Sequence, residues 1–180
     1  MGNVKKKTDQ HNKISNRFDK GKIKLLITEI VLASIMVLMI FVPHYRWDYA
    51  DDEMTSTSIF NLLTLAFGYK LSGAVEGFVF NFNILNMICL ILIIVTLIVS
   101  IKRIKYSAER RDKVYKIFYI IELPIIIFIC LIQKYTLTSE TLTDEIQKGY
   151  IFVGAVITII CSLIFAVLDI IDLNWTKIKK

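Results

Sequence analysis

Four long apolar blocks dominate the chain: Leu25 to Pro43, Ile84 to Ile101, Ile117 to Gln133 and Tyr150 to Leu173. A bilayer core about 30 Å thick takes roughly 20 residues of helix at 1.5 Å rise per residue, and each block comes close to that length. Hydrophobic residues make up 55% of the 180 residues, more than a soluble domain carries. In lipid the backbone must satisfy its own N–H and C=O groups, and these blocks lack the period-two alternation of barrel strands. The expected fold is an all-α integral membrane protein, a bundle of four transmembrane helices.

The net charge of +6 takes its meaning from where the charges lie. The stretch before the first block, the loop 102–116 and the tail 177–180 together hold 18 of the 22 Lys and Arg residues. The loops 44–83 and 134–149 hold the other four, Arg46, Lys70, Lys134 and Lys148. By the positive-inside rule the first set is cytoplasmic, and all four spans obey one orientation with both termini inside. The basic charge thus reports threading through a plasma membrane rather than nucleic-acid binding.

Residues 1–21 read as a basic cytoplasmic arm, suited to anionic lipid head groups at about 1 kcal/mol for each Lys or Arg near the surface. The first block has the charge flank of a signal peptide, but Phe41 to Trp47 offers no small-residue cleavage site, so it is expected to stay as an anchor. Gly2 is followed by Lys6 where a myristoylation site needs Ser or Thr, so lipidation is not expected. Cys89, Cys130 and Cys161 fall inside spans without metal-type spacing and read as small core residues.

The first outer loop has structure of its own in this reading. It opens with Tyr45, Trp47, Tyr49, Asp51, Asp52 and Glu53, which suit the outer interface. Ser58 then precedes Ile59 to Phe67 and a stop at Gly68, predicting a short helix with Ser58 as its cap, in the interface or over the bundle mouth. The period-two aromatics from Gly77 to Asn83 predict an extended segment. The second outer loop reads as a solvated turn, with Thr143 or Asp144 capping the fourth span. Gly149, Gly154 and Ala155 make the start of that span narrow.

Function has few places to reside. Glu29, Glu122, Asp169 and Asp172 are ionisable groups inside spans, which insertion scales penalise by about 2.5 to 3.5 kcal/mol at the helix centre. At 1.5 Å per residue, counted from the flanking Lys24, Lys116 and Lys177, they lie about 7, 9, 12 and 7 Å into the inner half of the membrane. Asp169 and Asp172 share a helix face. Either these carboxylates form an inward acidic site for a proton, a cation or a partner's basic segment, or they meet Lys22, Lys24, Arg103, Lys116 or Lys177 near the interface or are simply protonated. Pro124 predicts a kink, with carbonyls freed beside Glu122. Asn83, Asn86, Thr96 and Ser100 on the second span are expected to bond across helices.

Catalytic constellations are missing from the sequence: His11 and His44 are far apart, and there is neither a phosphate-binding glycine loop nor a nucleophile elbow. No cofactor is implied, and Asn174-Trp175-Thr176, a glycosylation pattern, falls on the cytoplasmic side. The layout of loops resembles claudins and tetraspanins, without the claudin first-loop cysteines. Ser58-Ile59-Phe60-Asn61-Leu62 through Phe67-Gly68 to Phe80-Asn81-Phe82-Asn83 resembles uncharacterised small four-span membrane proteins of low-GC Gram-positive bacteria. The expectation is a non-enzymatic accessory, regulatory or immunity-type subunit that works through a membrane-protein partner or a homo-oligomer. The alternative is a small oligomeric channel or transporter component using the carboxylates.

Overall fold

The structure, a computed structural model, describes the backbone of residues 2–51, 54–67, 70–71, 77–78, 83–105, 109–136 and 148–178, and side chains over 21–46, 59–67, 83–104, 114–132 and 150–172. In chain order the elements are α1 (Gly2–Met39), β1 (Pro43–Asp51), β2 (Met54–Asn61), α2 (Leu62–Phe67), β3 (Lys70–Leu71), β4 (Gly77–Phe78), α3 (Ile84–Lys105), α4 (Glu109–Thr136), β5 (Lys148–Ile151) and α5 (Val153–Ile178). The four long helices form a ring in which α1 and α4 each pack against both α3 and α5.

Three of these helices hold stretches long and apolar enough to cross a membrane: Ile84–Ile104, Val114–Ile132 and Val153–Asp172. The apolar part of α1 carries Glu29 and begins on Lys22 and Lys24, so α1 falls outside that group. The distribution of polarity is that of a membrane-embedded protein. Ile27, Val31, Ile91, Ile98, Ile121, Phe128, Ile160 and Ile170 are exposed, while Glu29, Asn86, Thr96, Ser100, Arg103, Lys116, Glu122, Asp169 and Asp172 are buried. Water would drive the reverse sorting; lipid tails are as apolar as isoleucine and leave the polar groups to find one another.

The inward faces follow a 3.5-residue period. On α3 the buried stripe is Asn86, Cys89, Ile93, Thr96, Ser100 and Arg103; on α5 it is Thr158, Ser162, Phe165, Asp169 and Asp172. Spacings alternating between three and four keep one seam facing its neighbours, as in coiled coils and helix bundles. The middle of the bundle is filled by Met36, Ile93, Tyr119, Leu123, Ile126 and Phe165, and the buried thiols Cys89, Cys130 and Cys161 line the same core.

At the opposite end from Arg103 the fold is not purely helical. β2, β1 and β5 form an antiparallel sheet in that order, with Tyr45 opposite both Phe60 and Ile151. The expected helix at Ile59 starts later for a local reason: Thr55, Thr57 and Ile59 are β-branched and fit a pleated strand. Ser58 therefore sits in β2, opposite Trp47, and Asn61 is the cap of α2. Its Oδ1 accepts from Thr64 N at 2.9 Å, as an N-cap side chain does. α2 drives Leu62, Leu65 and Ala66 into the core, covering the end of the bundle opposite Arg103. Of the extended segment expected at 77–83, Gly77–Phe78 pairs with Lys70–Leu71, and 79–82 lie outside the described residues.

Other boundaries also move. The basic stretch 1–21 is drawn into α1 from Gly2 onward, rather than standing apart as an arm. The inner loop expected at 102–116 is mostly helix, since α3 runs to Lys105 and α4 begins at Glu109; its lysines and arginines are good helix formers. Lys148–Ile151 is strand, so the last span begins at Val153 rather than Tyr150. Thr143 and Asp144 lie outside the described residues.

Asn83 caps α3, its Oδ1 accepting from Leu85 N at 3.0 Å and Asn86 N at 3.1 Å. Its own N–H donates to the Ala66 carbonyl at 3.0 Å, tying α3 to α2. Asn83→Ala is expected to cost about 1 kcal/mol, read as a small drop in thermal midpoint in mild detergent; an unchanged midpoint would remove the cap from the account.

Candidate functional site: a buried ion-pair cluster

All four long helices meet at Arg103. Its position on the buried stripe of α3 turns the guanidinium toward the bundle axis, although by charge alone it belongs to the inner loop. Nη1 donates to Glu29 Oε2 of α1 at 2.7 Å and reaches Asp169 Oδ1 of α5 at 3.5 Å. Nη2 donates to Asp172 Oδ2 at 3.0 Å. Lys116 of α4 places Nζ 2.7 Å from the same Asp172 oxygen. Every one of these side chains is nearly or fully buried. The Arg103 guanidinium also lies 5.5 Å from the centre of the Tyr119 ring, within cation–π range.

A planar, five-donor group suits this position. One guanidinium serves carboxylates on two different helices at once, which an ammonium would do as a point charge. It also fills the space toward which Glu29, Asp169 and Asp172 converge, and among the described residues no three His, Cys, Asp or Glu side chains form a metal site.

From this cluster polar contacts continue toward the middle of the bundle. The Tyr119 hydroxyl, its ring edge-on to Phe165 at 4.8 Å between centres, lies 3.0 Å from Ser100 Oγ. Ser100 Oγ donates to the Thr96 carbonyl at 2.8 Å. One turn further, Thr96 Oγ1 is 2.7 Å from Glu122 Oε1.

The four candidate carboxylates therefore divide. Glu29, Asp169 and Asp172 come together on Arg103, and the shared face expected for the two aspartates is what lets both reach it. Glu122 does not join them; it faces Thr96 between α3 and α4. Of the basic residues weighed as partners, Arg103 and Lys116 serve in the cluster, and the Lys177 side chain lies outside the described residues. Pro124 sits inside an α4 that runs on as helix through it. It is exposed while Glu122 is buried, because two residues turn a helix by about 200°. The Ile120 carbonyl freed by the proline consequently belongs to the exposed face, away from Glu122.

Tyr119 is the residue that sequence reasoning missed as part of the site, and Arg103 was weighed there only as one of five basic partners near the interface. The signal was present: Asn86, Thr96 and Ser100 fall on the 3.5-residue stripe that ends at Arg103.

Comparison of the chain with protein-family models, with curated proteins and with solved structures finds no match.

Proposed function

We propose that the chain is a non-enzymatic, four-span membrane protein of the plasma membrane, an accessory, regulatory or immunity-type subunit acting through protein–protein contacts. The observation that carries this reading is the use to which the intramembrane charges are put. Three of the four carboxylates are bound inside the chain by Arg103 and Lys116, so they clasp the bundle rather than offer themselves to a ligand. Tyr119, Phe165 and Met36 fill the axis, which argues for a closed body over a pathway.

The fourth span in this reading is α1. It packs against α3 and α5, and it turns Ile23, Ile27, Val31 and Leu38 outward as its neighbours turn their isoleucines. Its one deep charge, Glu29, is matched by Arg103. The excess of Lys and Arg on the Arg103 end supports a cytoplasmic position for that end, with both termini there and the basic N-terminal stretch on anionic head groups. The sheet then faces outward, where β2 and β5 flank β1 as the outer strands.

The test is isolation from its native membrane. Extraction in a mild detergent after cross-linking is expected to recover the chain with a second membrane protein or with itself. A lone monomer, together with proton or cation flux in liposomes holding the pure protein, would replace this reading with the channel or transporter one.

A further inference from the structure

The hydrogens available around Thr96 set Glu122 apart from the other carboxylates. Thr96 Oγ1 lies 2.7 Å from Glu122 Oε1 and 2.9 Å from the Leu92 carbonyl oxygen. A threonine hydroxyl has one hydrogen, and a backbone carbonyl only accepts. If Glu122 were a carboxylate, two acceptors would compete for that hydrogen, and one short O···O contact would be left with no proton in it. If Glu122 is a carboxylic acid, Oε1–H donates to Thr96 Oγ1 and the threonine hydroxyl donates to Leu92. Both contacts are then O–H···O bonds of ordinary length.

The surroundings point the same way. Ser100 Oγ is engaged with the Thr96 carbonyl and the Tyr119 hydroxyl, so neither hydroxyl donates to Glu122. Glu122 is 2% exposed, and its Oε2 has no hydrogen-bond partner among the described residues. The charged groups and the tyrosine of the neighbouring cluster are Arg103 on α3, Lys116 and Tyr119 on α4, Asp169 and Asp172 on α5 and Glu29 on α1, and Glu122 bonds to none of them. Both cations are engaged by the carboxylates of the clasp. A neutral carbonyl oxygen without a partner is tolerable in such a place; an unpaired carboxylate is far more costly.

We propose that Glu122 is a proton-binding site, a carboxylic acid that keeps its proton as the hydrogen bond to Thr96. The ligand is the proton itself, held apart from the ion-pair cluster, and a protein acting only through contacts does not require it. Losing that proton would make Thr96 turn its hydrogen from Leu92 to Glu122, a reversal confined to the α3–α4 seam.

Infrared spectroscopy of the full chain in lipid at neutral pH tests this directly. The wild type is expected to show a protonated-carboxyl C=O band that moves down in D2O and disappears in Glu122→Gln. No such band, or the same band in the variant, overturns the proposal, the second result moving the proton to the clasp. Thr96→Val keeps the acid and removes its acceptor, so the band should remain and rise in frequency. A band unmoved by Thr96→Val overturns the assigned partner, and this variant decides the matter should Glu122→Gln fail to fold.

Discussion

Replacing Arg103 by methionine is expected to destabilise the protein by about 3 to 5 kcal/mol, the usual result of removing one side of a buried ion pair. Methionine is apolar and leaves Glu29 and Asp169 buried without the guanidinium that binds them, while Asp172 keeps Lys116. The loss follows from stranding those charges, not from the net worth of the pairs, which desolvation largely offsets. Two further variants separate these effects. Arg103→Lys keeps the charge but serves several carboxylates from one point, and should fall between the two. Arg103→Met combined with Glu29→Gln and Asp169→Asn should recover much of the loss, because both sides are then neutral. Folded fraction against temperature in mild detergent is the measurement, and an Arg103→Met chain as stable as the wild type would show that the clasp contributes nothing.

Gly154→Ala is expected to be the most damaging small substitution at the sheet end of the bundle. A Cβ there would lie 2.7 Å from His44 Cδ2, 2.7 Å from the Pro43 oxygen and 2.8 Å from the Val42 oxygen. Two of these neighbours are backbone carbonyls, one in the turn between α1 and β1 and one at the first residue of β1, and the chain beside them is held in place. Phe152 N donates to His44 O at 2.8 Å, and His44 Nε2 bonds the Met39 carbonyl at 3.1 Å. One methyl group must therefore push α5 away from that turn, at about 1 to 3 kcal/mol for overpacking of this kind. His44→Ala in the same chain should rescue only part of the loss, since the two carbonyls remain. A Gly154→Ala protein melting with the wild type would mean that the approach is looser than the structure has it.

The two variants also separate what was legible in the sequence from what was not. The spans on α3, α4 and α5 could be read at sight, since hydropathy over some twenty residues is a one-dimensional property and the bilayer tests it one helix at a time. The carboxylates too were visible, as charges in apolar runs. Which partner they meet was not, because Arg103 was one of five basic residues weighed and stands among six others of the segment 102–116. Only the phase of α3, which carries the stripe through Thr96 and Ser100, distinguishes it from Lys102, one residue away and exposed. The narrow start of α5 was legible too, but not that Gly154 receives the turn after α1.

Amino-acid order alone thus determined the membrane setting and which acidic groups fall inside apolar helices, both consequences of local composition. Tertiary structure decided which charges meet, that β5 joins a sheet begun about a hundred residues earlier, and that Glu122 stands apart from the other three carboxylates. Those outcomes depend on how helices rotate against one another and on strand pairing at long range. No window of sequence contains either.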